Sequence, residues 1–189
     1  MKPEAGSHPL GKPVRPSARP STIFLVGFMG AGKTSVGRRL SHRLGWAFED
    51  LDDRIAAREG RSIAEIFRES GEAEFRRVEH AALRELIAEL GSSPRIVALG
   101  GGAFAQTKNA VVLQECGAPV VFLDGAADEL FRRCEQEHVE RPLRHDANHF
   151  RELYEQRRAF YLKAAWRVDT SGKDLDTVAA EVAWSLGFQ

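Results

Sequence analysis

Apolar residues recur along this chain in short runs that alternate with stretches of helical spacing. The run at 23–26 predicts a buried strand, and Val36, Leu40 and Leu44 predict a helix over 33–44. The same alternation predicts further strands at 46–50, 95–99, 119–123 and 167–170, and further helices at 62–67, 72–90, 108–116, 126–137, 150–163 and 175–186. About five strands that alternate with helices are typical of an α/β fold, with a parallel sheet covered on both faces.

The segment between the first strand and the first helix predicts a phosphate-binding loop. Residues 27–34 read GFMGAGKT and match the spacing G-x-x-x-x-G-K-[ST]. The glycines let successive backbone N–H groups turn toward a polyphosphate, and the following helix presents its positive N-terminus to the same anion. We expect Lys33 to reach the β- and γ-phosphates and the Thr34 hydroxyl to ligate Mg²⁺. The alternative is a glycine-rich turn with an incidental lysine.

Carboxylates behind the second predicted strand suggest the chemistry beside the phosphates. The acidic group EDLDD occupies 49–53, and functional groups collect at the carboxyl ends of strands in open α/β sheets. Asp50 and Asp52 stand two apart on what we take as one extended stretch, so we expect them to share a face. One would hold Mg²⁺ through a water, and the other would accept the proton of an acceptor hydroxyl. The alternative is a solvated helix N-terminus, where the helix dipole favours acids.

Glycines and an arginine mark two further candidate positions. Gly100-Gly101-Gly102 follows the strand at 95–99 and indicates that the backbone passes close to another group, although a flexible turn is the alternative. Arg76 could reach a cleft from the helix at 72–90, or it could pair on the surface with Glu72 or Glu79.

The polar segment 138–149 has little periodicity and suits a mobile lid, placed at about 138–150. It contains Arg141 and Arg144, and Arg157 and Arg158 follow on the next helix. A planar guanidinium matches carboxylate and phosphate geometry, and a kinase that closes a lid over ATP needs a cation near the transferred group.

Composition and charge exclude several classes of protein. The chain has 189 residues with 43% hydrophobic content, which is enough for one domain and short for two. Its formal net charge is zero and its pI is about 7, so no global field favours nucleic acid or anionic membranes. The only cysteines, Cys116 and Cys134, form no C-x-x-C pair and suggest neither a disulfide framework nor a zinc site. No N-K-x-D guanine motif is present, which argues against a GTPase.

The first 20 residues differ in composition from the rest of the chain. They hold five prolines and four Lys or Arg residues, with little that could be buried, so we expect a disordered tail at 1–20 and one domain over 21–189. An organellar transit segment is the alternative, but its proline density argues against an amphipathic helix. No apolar run approaches the ~18 residues of a membrane span or forms the core of a secretory signal. We therefore expect a cytoplasmic protein.

Five motifs in order resemble those of shikimate kinase. They are GFMGAGKTSVGRRL at 27–40, F-x-D-x-D at 48–52, G-E-x-x-F-R-x-x-E at 71–79, the triple glycine at 100–102 and R-P-L at 141–143. The resemblance extends over nearly the whole chain from about residue 21. It implies a P-loop fold like that of nucleoside monophosphate kinases, a three-layer sandwich around a five-stranded parallel sheet. It also implies Mg²⁺-dependent transfer of the ATP γ-phosphate to the 3-hydroxyl of shikimate, a step toward chorismate and the aromatic amino acids.

The resemblance also implies roles for individual residues. Lys33, Asp52 and Arg141 would be catalytic, with Asp52 the best candidate for the base. Thr34 and Asp50 would hold the metal. ATP would contact Met29, Gly30, Ala31, Gly32, Lys33, Thr34, Ser35, Arg133 and Arg141, and shikimate would contact Asp52, Arg76, Gly100, Gly101, Gly102 and Arg157. Arg76 and Arg157 would grip the substrate carboxylate.

The chain departs from the family pattern at three places. Arg144 stands where many members of the family have the last leucine of R-P-L-L. Ala159 stands where the family often has proline, so Arg158 is the alternative to Arg157 as carboxylate ligand. No late arginine flanks the adenine, and Lys173 is the nearest cation. The alternative functions are a gluconate kinase and a catalytically silent, kinase-like binding protein. We expect a monomer whose partner is the small-molecule substrate.

Overall fold

The protein folds around a five-stranded sheet in which every strand pair is parallel. The computed structural model describes residues 20–91, 93–136 and 146–188. The strands follow the order β2-β3-β1-β4-β5 across the sheet. Their bounds are β1 Thr22–Val26, β2 Ala47–Asp50, β3 Arg95–Ala98, β4 Val120–Asp124 and β5 Trp166–Asp169. The predicted parallel α/β sheet is confirmed.

Seven helices and one short 3₁₀ turn surround the sheet within the described ranges. Helix α1 packs against α7, whereas α2 packs on α3, α3 on α4 and α5 on α6. The helices are α1 Lys33–Leu44, α2 Leu51–Glu59, α3 Ile63–Ala88, α4 Thr107–Cys116, α5 Ala127–Gln136, α6 Ala147–Tyr161 and α7 Leu175–Ser185, and the 3₁₀ turn is Ala103–Ala105.

Strand β1 is the centre of the hydrophobic core. All five of its residues are buried, and it pairs with β3 on one side and β4 on the other. A strand buried on both faces reads as a continuous apolar run, which is why the sequence IFLV identified it. Because all strands run in the same direction, the segments that follow β1, β2, β3 and β4 meet at one edge of the sheet.

The expectation that Asp50 and Asp52 share an extended stretch is wrong. Strand β2 ends at Asp50, and α2 begins at Leu51. Asp50 is the N-cap of this helix, and its carboxylate accepts a hydrogen bond of 3.0 Å from the backbone N–H of Asp52. An aspartate that can satisfy an exposed helix N–H favours a helix start over a longer strand. Asp52 therefore lies in the first turn of α2, as the alternative interpretation had it.

Helix α3 joins the two helices that the sequence predicted separately. Ser62 and Glu65 form the predicted capping box at its start. The element is broken at Gly71, whose backbone is non-helical with φ 79° and ψ 172°. This region of backbone space is accessible almost only to glycine, so Gly71 sets the angle between the two halves. The second half carries Arg76.

Parts of the predicted tail and lid lie outside the described residues. These parts are 1–19 of the tail and 138–145 of the lid, and Arg141 and Arg144 belong to the latter. Residues 147–150 of the predicted lid form the first turn of α6, which Asp146 caps by accepting hydrogen bonds from two backbone N–H groups. Over the described ranges, every helix is too short or too polar to span a bilayer.

Candidate active site

The loop after β1 is shaped to receive an anion. Gly30 adopts a positive φ of 75°, and Gly32 is the N-cap of α1 with φ 80°. Within the described residues, no side chain caps this helix, and its first turn contains no acid. Lys33 folds back over the loop and donates hydrogen bonds of 3.0 Å to the carbonyls of Gly27 and Phe28. The helix N-terminus thus presents N–H groups and a cation to the same space.

Thr34 and Asp50 meet beside the loop. The Thr34 hydroxyl donates a 2.7 Å hydrogen bond to Asp50 Oδ2. Within the described ranges, no group of three or more His, Cys, Asp or Glu side chains is placed to hold a metal ion by itself. Magnesium bound to a nucleotide takes only one or two protein ligands and completes its shell with phosphate oxygens and waters. A hydroxyl and a carboxylate next to the phosphate loop therefore fit Mg²⁺.

A cavity of about 540 Å³ opens beside the phosphate loop. Arg133 and Lys173 both line it. The Arg133 guanidinium is held by Glu129 and by the carbonyl of Thr170 at 2.9 Å, and Lys173 pairs with Glu181 at 2.7 Å. The cavity adjoins the phosphate loop, so its size and position suit the base and ribose of a nucleotide.

The triple glycine forms a wall between two charged side chains. A Cβ on Gly100 would lie 2.7 Å from Asp52 Oδ1, and a Cβ on Gly102 would lie 2.5 Å from Arg76 Nη2. Real Cβ atoms essentially never come that close to other atoms, so any residue other than glycine at 100 or 102 would have to displace the Asp52 carboxylate or the Arg76 guanidinium. Gly101 lies against the phosphate loop, where its Cβ position is 3.7 Å from Met29 N. The expectation that the backbone passes close to other groups at these glycines is confirmed.

Arg76 is held rigidly on the other side of this wall. Its Nη1 donates to both carboxylate oxygens of the fully buried Glu79, at 3.1 and 2.9 Å, and its Nε and Nη2 donate to Glu72 at 3.2 and 3.1 Å. Burial lowers the pKa of Arg76, but the two carboxylates outweigh this effect and raise it. Burial raises the pKa of Glu79, which Arg76 opposes. The guanidinium therefore stays charged in a mostly buried position.

The two consecutive arginines of α6 have different partners. Arg157 points toward the glycine wall, 3.4 Å from the Gly101 carbonyl, and stacks 5.9 Å from the Phe28 ring centroid. Burial and the nearby charge of Arg76 lower the pKa of Arg157. Arg158 instead donates to the buried carboxylate of Asp124 at 2.9 Å. Arg157 therefore lies with Arg76 beside the wall, whereas Arg158 is part of a separate ion pair.

Comparison with known proteins identifies the family. The model of the shikimate kinase family matches residues 29–186. The chain belongs to the shikimate kinase family. A shikimate kinase from Persephonella marina is 38% identical over 85% of this chain and 95% of its own length, and one from Geobacter sulfurreducens is 42% identical over 85% and 88%. Membership makes this chain an ATP-dependent kinase that acts on an alcohol group and uses Mg²⁺.

Solved structures agree with the family and separate it from a neighbour. The structure of a shikimate kinase from Acinetobacter baumannii, in complex with shikimate, has a TM-score of 0.79 and 32% identity over 86% of this chain and 90% of its own. A gluconokinase from Sinorhizobium meliloti has a TM-score of 0.57 and 19% identity over 89% and 92%. This second likeness is one of fold alone.

In this member of the shikimate kinase family, most residues predicted from the sequence converge at one edge of the sheet. The phosphate loop 29–35, Asp50 and Asp52, the wall 100–102, Arg76 and Arg157 all lie there. Arg133 lies in the adjoining cavity, and Arg141 lies outside the described residues. The assignment of each residue to a ligand stays a prediction.

The alternative interpretation of Arg76, that it pairs with Glu72 or Glu79, is confirmed, although the pair with Glu79 is buried and does not lie on the surface. One further side chain at the shikimate kinase site had no predicted role. The ring of Tyr161 is buried in the core and stacks on the ring of Phe122, yet its hydroxyl donates a hydrogen bond to the Gly101 carbonyl. Only the tertiary structure joins Tyr161 to Gly101, because the two residues are 60 positions apart in the chain.

The Arg76 ion pairs predict unequal costs for the two glutamates. Glu79→Ala should lower the free energy of unfolding by about 3–5 kcal/mol, because it leaves a mostly buried guanidinium without its main partner. Glu72→Ala should cost at most about 1 kcal/mol, because the Glu72 side chain is 50% exposed and solvent screens the pair. Urea unfolding of both variants measures the difference. Equal costs would contradict the assignment of Glu79 as the principal partner.

Proposed function

We propose that this protein transfers the γ-phosphate of ATP to the 3-hydroxyl of shikimate and yields shikimate 3-phosphate and ADP. The observation that carries the proposal is the convergence of two arginines, Arg76 and Arg157, with Asp52 beside the phosphate loop. Two cations can hold a carboxylate, and a carboxylate on the opposite side can hold hydroxyls. Such a pocket suits a small hydroxylated carboxylic acid placed next to the terminal phosphate of ATP.

In the proposed reaction, the acceptor oxygen forms a bond to the γ-phosphorus and the bond from phosphorus to the β,γ-bridging oxygen breaks. ADP leaves with the electron pair of that bond, and the hydroxyl proton passes to the Asp52 carboxylate. Lys33 and the N–H groups at the start of α1 stabilise the charge on the phosphates. Thr34 and Asp50 would hold Mg²⁺, which neutralises phosphate charge when bound.

The glycine wall supports the orientation of the acceptor. A side chain at Gly100 or Gly102 would displace the carboxylate of Asp52 or the guanidinium of Arg76, so glycine at these positions lets the acceptor lie close to the backbone between the two groups. Phosphoryl transfer depends mainly on positioning and charge stabilisation, and an error of about 1 Å is costly. A wall of glycines that lets the acceptor approach the backbone therefore serves the positioning that this reaction requires.

The proposal extends to ATP and to the wider context of the protein. The cavity lined by Arg133 and Lys173 would take the adenine, and Arg141 would close over the phosphates from the lid at about 138–150. The neutral net charge favours neither nucleic acid nor membrane partners. We propose a cytoplasmic monomer with one kinase domain over 21–189.

The first test compares two acceptors in one assay. With ATP and Mg²⁺, we expect ADP release that depends on shikimate and is at least about 100-fold slower with gluconate, because the two arginines and the wall are arranged for one acceptor. A coupled spectrophotometric assay measures ADP. Release that depends on gluconate would favour the gluconate kinase alternative. No release with either acid, from protein that binds ATP, would favour a silent binding protein.

Asp52 and its neighbour Asp53 provide a matched test of the base. Asp52→Asn should lower kcat by at least about 100-fold, because the amide cannot accept the hydroxyl proton. Asp53→Asn removes an exposed acid from the same first turn of α2 and should change kcat by less than about twofold. Steady-state rates with shikimate measure both, and ATP affinity should be unchanged. A similar loss in both variants would indicate a helix-dipole effect and contradict the role of Asp52.

Arg157 and Arg158 provide a second matched pair. Arg157→Ala should raise the KM for shikimate by about 10- to 100-fold, as expected when a hydrogen bond to a charged group is lost. Arg158→Ala should change it by less than about threefold, because Asp124 keeps its ion pair of 2.7 Å with Arg167. Initial rates at saturating ATP measure both constants. If Arg158→Ala has the larger effect, the two roles are exchanged.

A further inference from the structure

The two tyrosines of helix α6 donate hydrogen bonds to backbone carbonyls that follow two different strands. The Tyr154 hydroxyl donates to the carbonyl of Gly125, just after β4, at 2.9 Å and lies 3.2 Å from the carboxylate of Asp124, the last residue of β4. The Tyr161 hydroxyl donates to the Gly101 carbonyl, after β3. The residues are seven apart and lie on the same face of the helix. They therefore tie α6 to the two segments that flank the phosphate loop on the central strand.

The carbonyls of the glycine wall are satisfied in two different ways. Gly100 and Gly102 accept hydrogen bonds from the backbone N–H groups of Ala103 and Ala105, at 3.0 and 3.2 Å, within the same turn. The Gly101 carbonyl is instead bonded by side chains of α6. A planar peptide orients its C=O and the following N–H in opposite directions. The bond from Tyr161 thus fixes the Gly101–Gly102 peptide.

Tyr161 and Arg157 share this one carbonyl. Arg157 Nη1 is 3.4 Å from it, which is long for a hydrogen bond, whereas the Tyr161 hydroxyl is in close contact. Burial raises the pKa of Tyr161 well above its ordinary value, so the hydroxyl stays protonated and remains a donor. The Gly101 carbonyl is partly buried, and Arg157 is the other side-chain donor beside it. Loss of the Tyr161 hydroxyl would therefore draw Arg157 onto Gly101.

We infer that Tyr161 is a positioning residue for the acceptor: its hydroxyl occupies the Gly101 carbonyl, holds the wall in place and leaves the Arg157 guanidinium available for the substrate carboxylate. This inference rests on the proposed function, because it assumes that the carboxylate binds between Arg157 and Arg76. Tyr161 acts through Gly101 and Arg157, and its ring packs away from the site against Phe122.

The test uses Tyr161→Phe, with Tyr154→Phe as the matched control. Both changes remove one buried hydroxyl from α6 and keep the ring. We expect Tyr161→Phe to raise the KM and the calorimetric Kd for shikimate by at least about threefold and to leave the KM for ATP within about twofold. Tyr154→Phe should leave the shikimate constants within about twofold while it lowers the melting temperature by a similar amount.

Three outcomes would overturn the inference. The first is that Tyr161→Phe changes shikimate binding by less than about threefold. The second is that Tyr161→Phe raises the KM for ATP as much as the KM for shikimate. The third is that Tyr154→Phe affects shikimate binding as much as Tyr161→Phe does. The wild-type enzyme in the same series keeps the proposed function separate. If it releases no ADP with shikimate, the function fails; if it does and Tyr161→Phe behaves as wild type, only the positioning role fails.

A double-mutant cycle tests whether Tyr161 acts through Arg157. In the Arg157→Ala background, Tyr161→Phe should retain less than about half of its effect on the shikimate Kd, expressed as a free energy. The reason is that this background lacks the Arg157 guanidinium, which the loss of the Tyr161 hydroxyl would otherwise draw onto Gly101. In an Arg158→Ala background it should retain its whole effect. Equal effects of Tyr161→Phe in the Arg157→Ala and wild-type backgrounds would contradict the route through Arg157.

Discussion

The parallel direction of the buried strands is the constraint on which the rest of this structure depends. Strand β1 lies at the centre with neighbours on both sides, and parallel pairing brings the segments after β1, β2, β3 and β4 to one edge. The phosphate loop, Asp50 and the glycine wall are the continuations of three neighbouring strands. Their meeting follows from the direction of the strands, and a chemical site forms where side chains from distant segments can be combined.

The polar and charged side chains at this edge of the sheet differ in how deeply they are buried. Asp50 and Thr34 lie near solvent beside the phosphate loop, whereas Glu79 and Arg76 are buried. A buried ion pair contributes little net stability, because desolvation offsets the attraction. Its value here is positional, since Glu79 uses both oxygens to hold the guanidinium at the wall. With Glu72 on its other edge, the guanidinium is held from two directions.

Helix α6 connects the glycine wall to the phosphate loop. Phe28 of the phosphate loop packs edge-on against Phe150 and Tyr154 of this helix, with ring centroids 4.9 and 5.6 Å apart. The same helix supplies Arg157 to the wall and Arg158 to Asp124. Consecutive residues on a helix point about 100° apart, so one arginine can enter the site while the next anchors the helix to the sheet. Exchange of these roles would require rotation of the helix.

The sequence alone determined the α/β class, the parallel sheet and the phosphate loop, and it predicted most of the residues that meet at one edge of the sheet, because each depends on a local pattern or a fixed spacing. It failed where a local competition decided the backbone, as at Asp50, whose side chain caps α2 and ends the strand. Only the tertiary structure decided that Arg157 and not Arg158 faces the wall, and that Tyr161 holds Gly101. These contacts join segments up to 60 residues apart, and their geometry depends on how α6 packs, which no periodicity in the chain encodes.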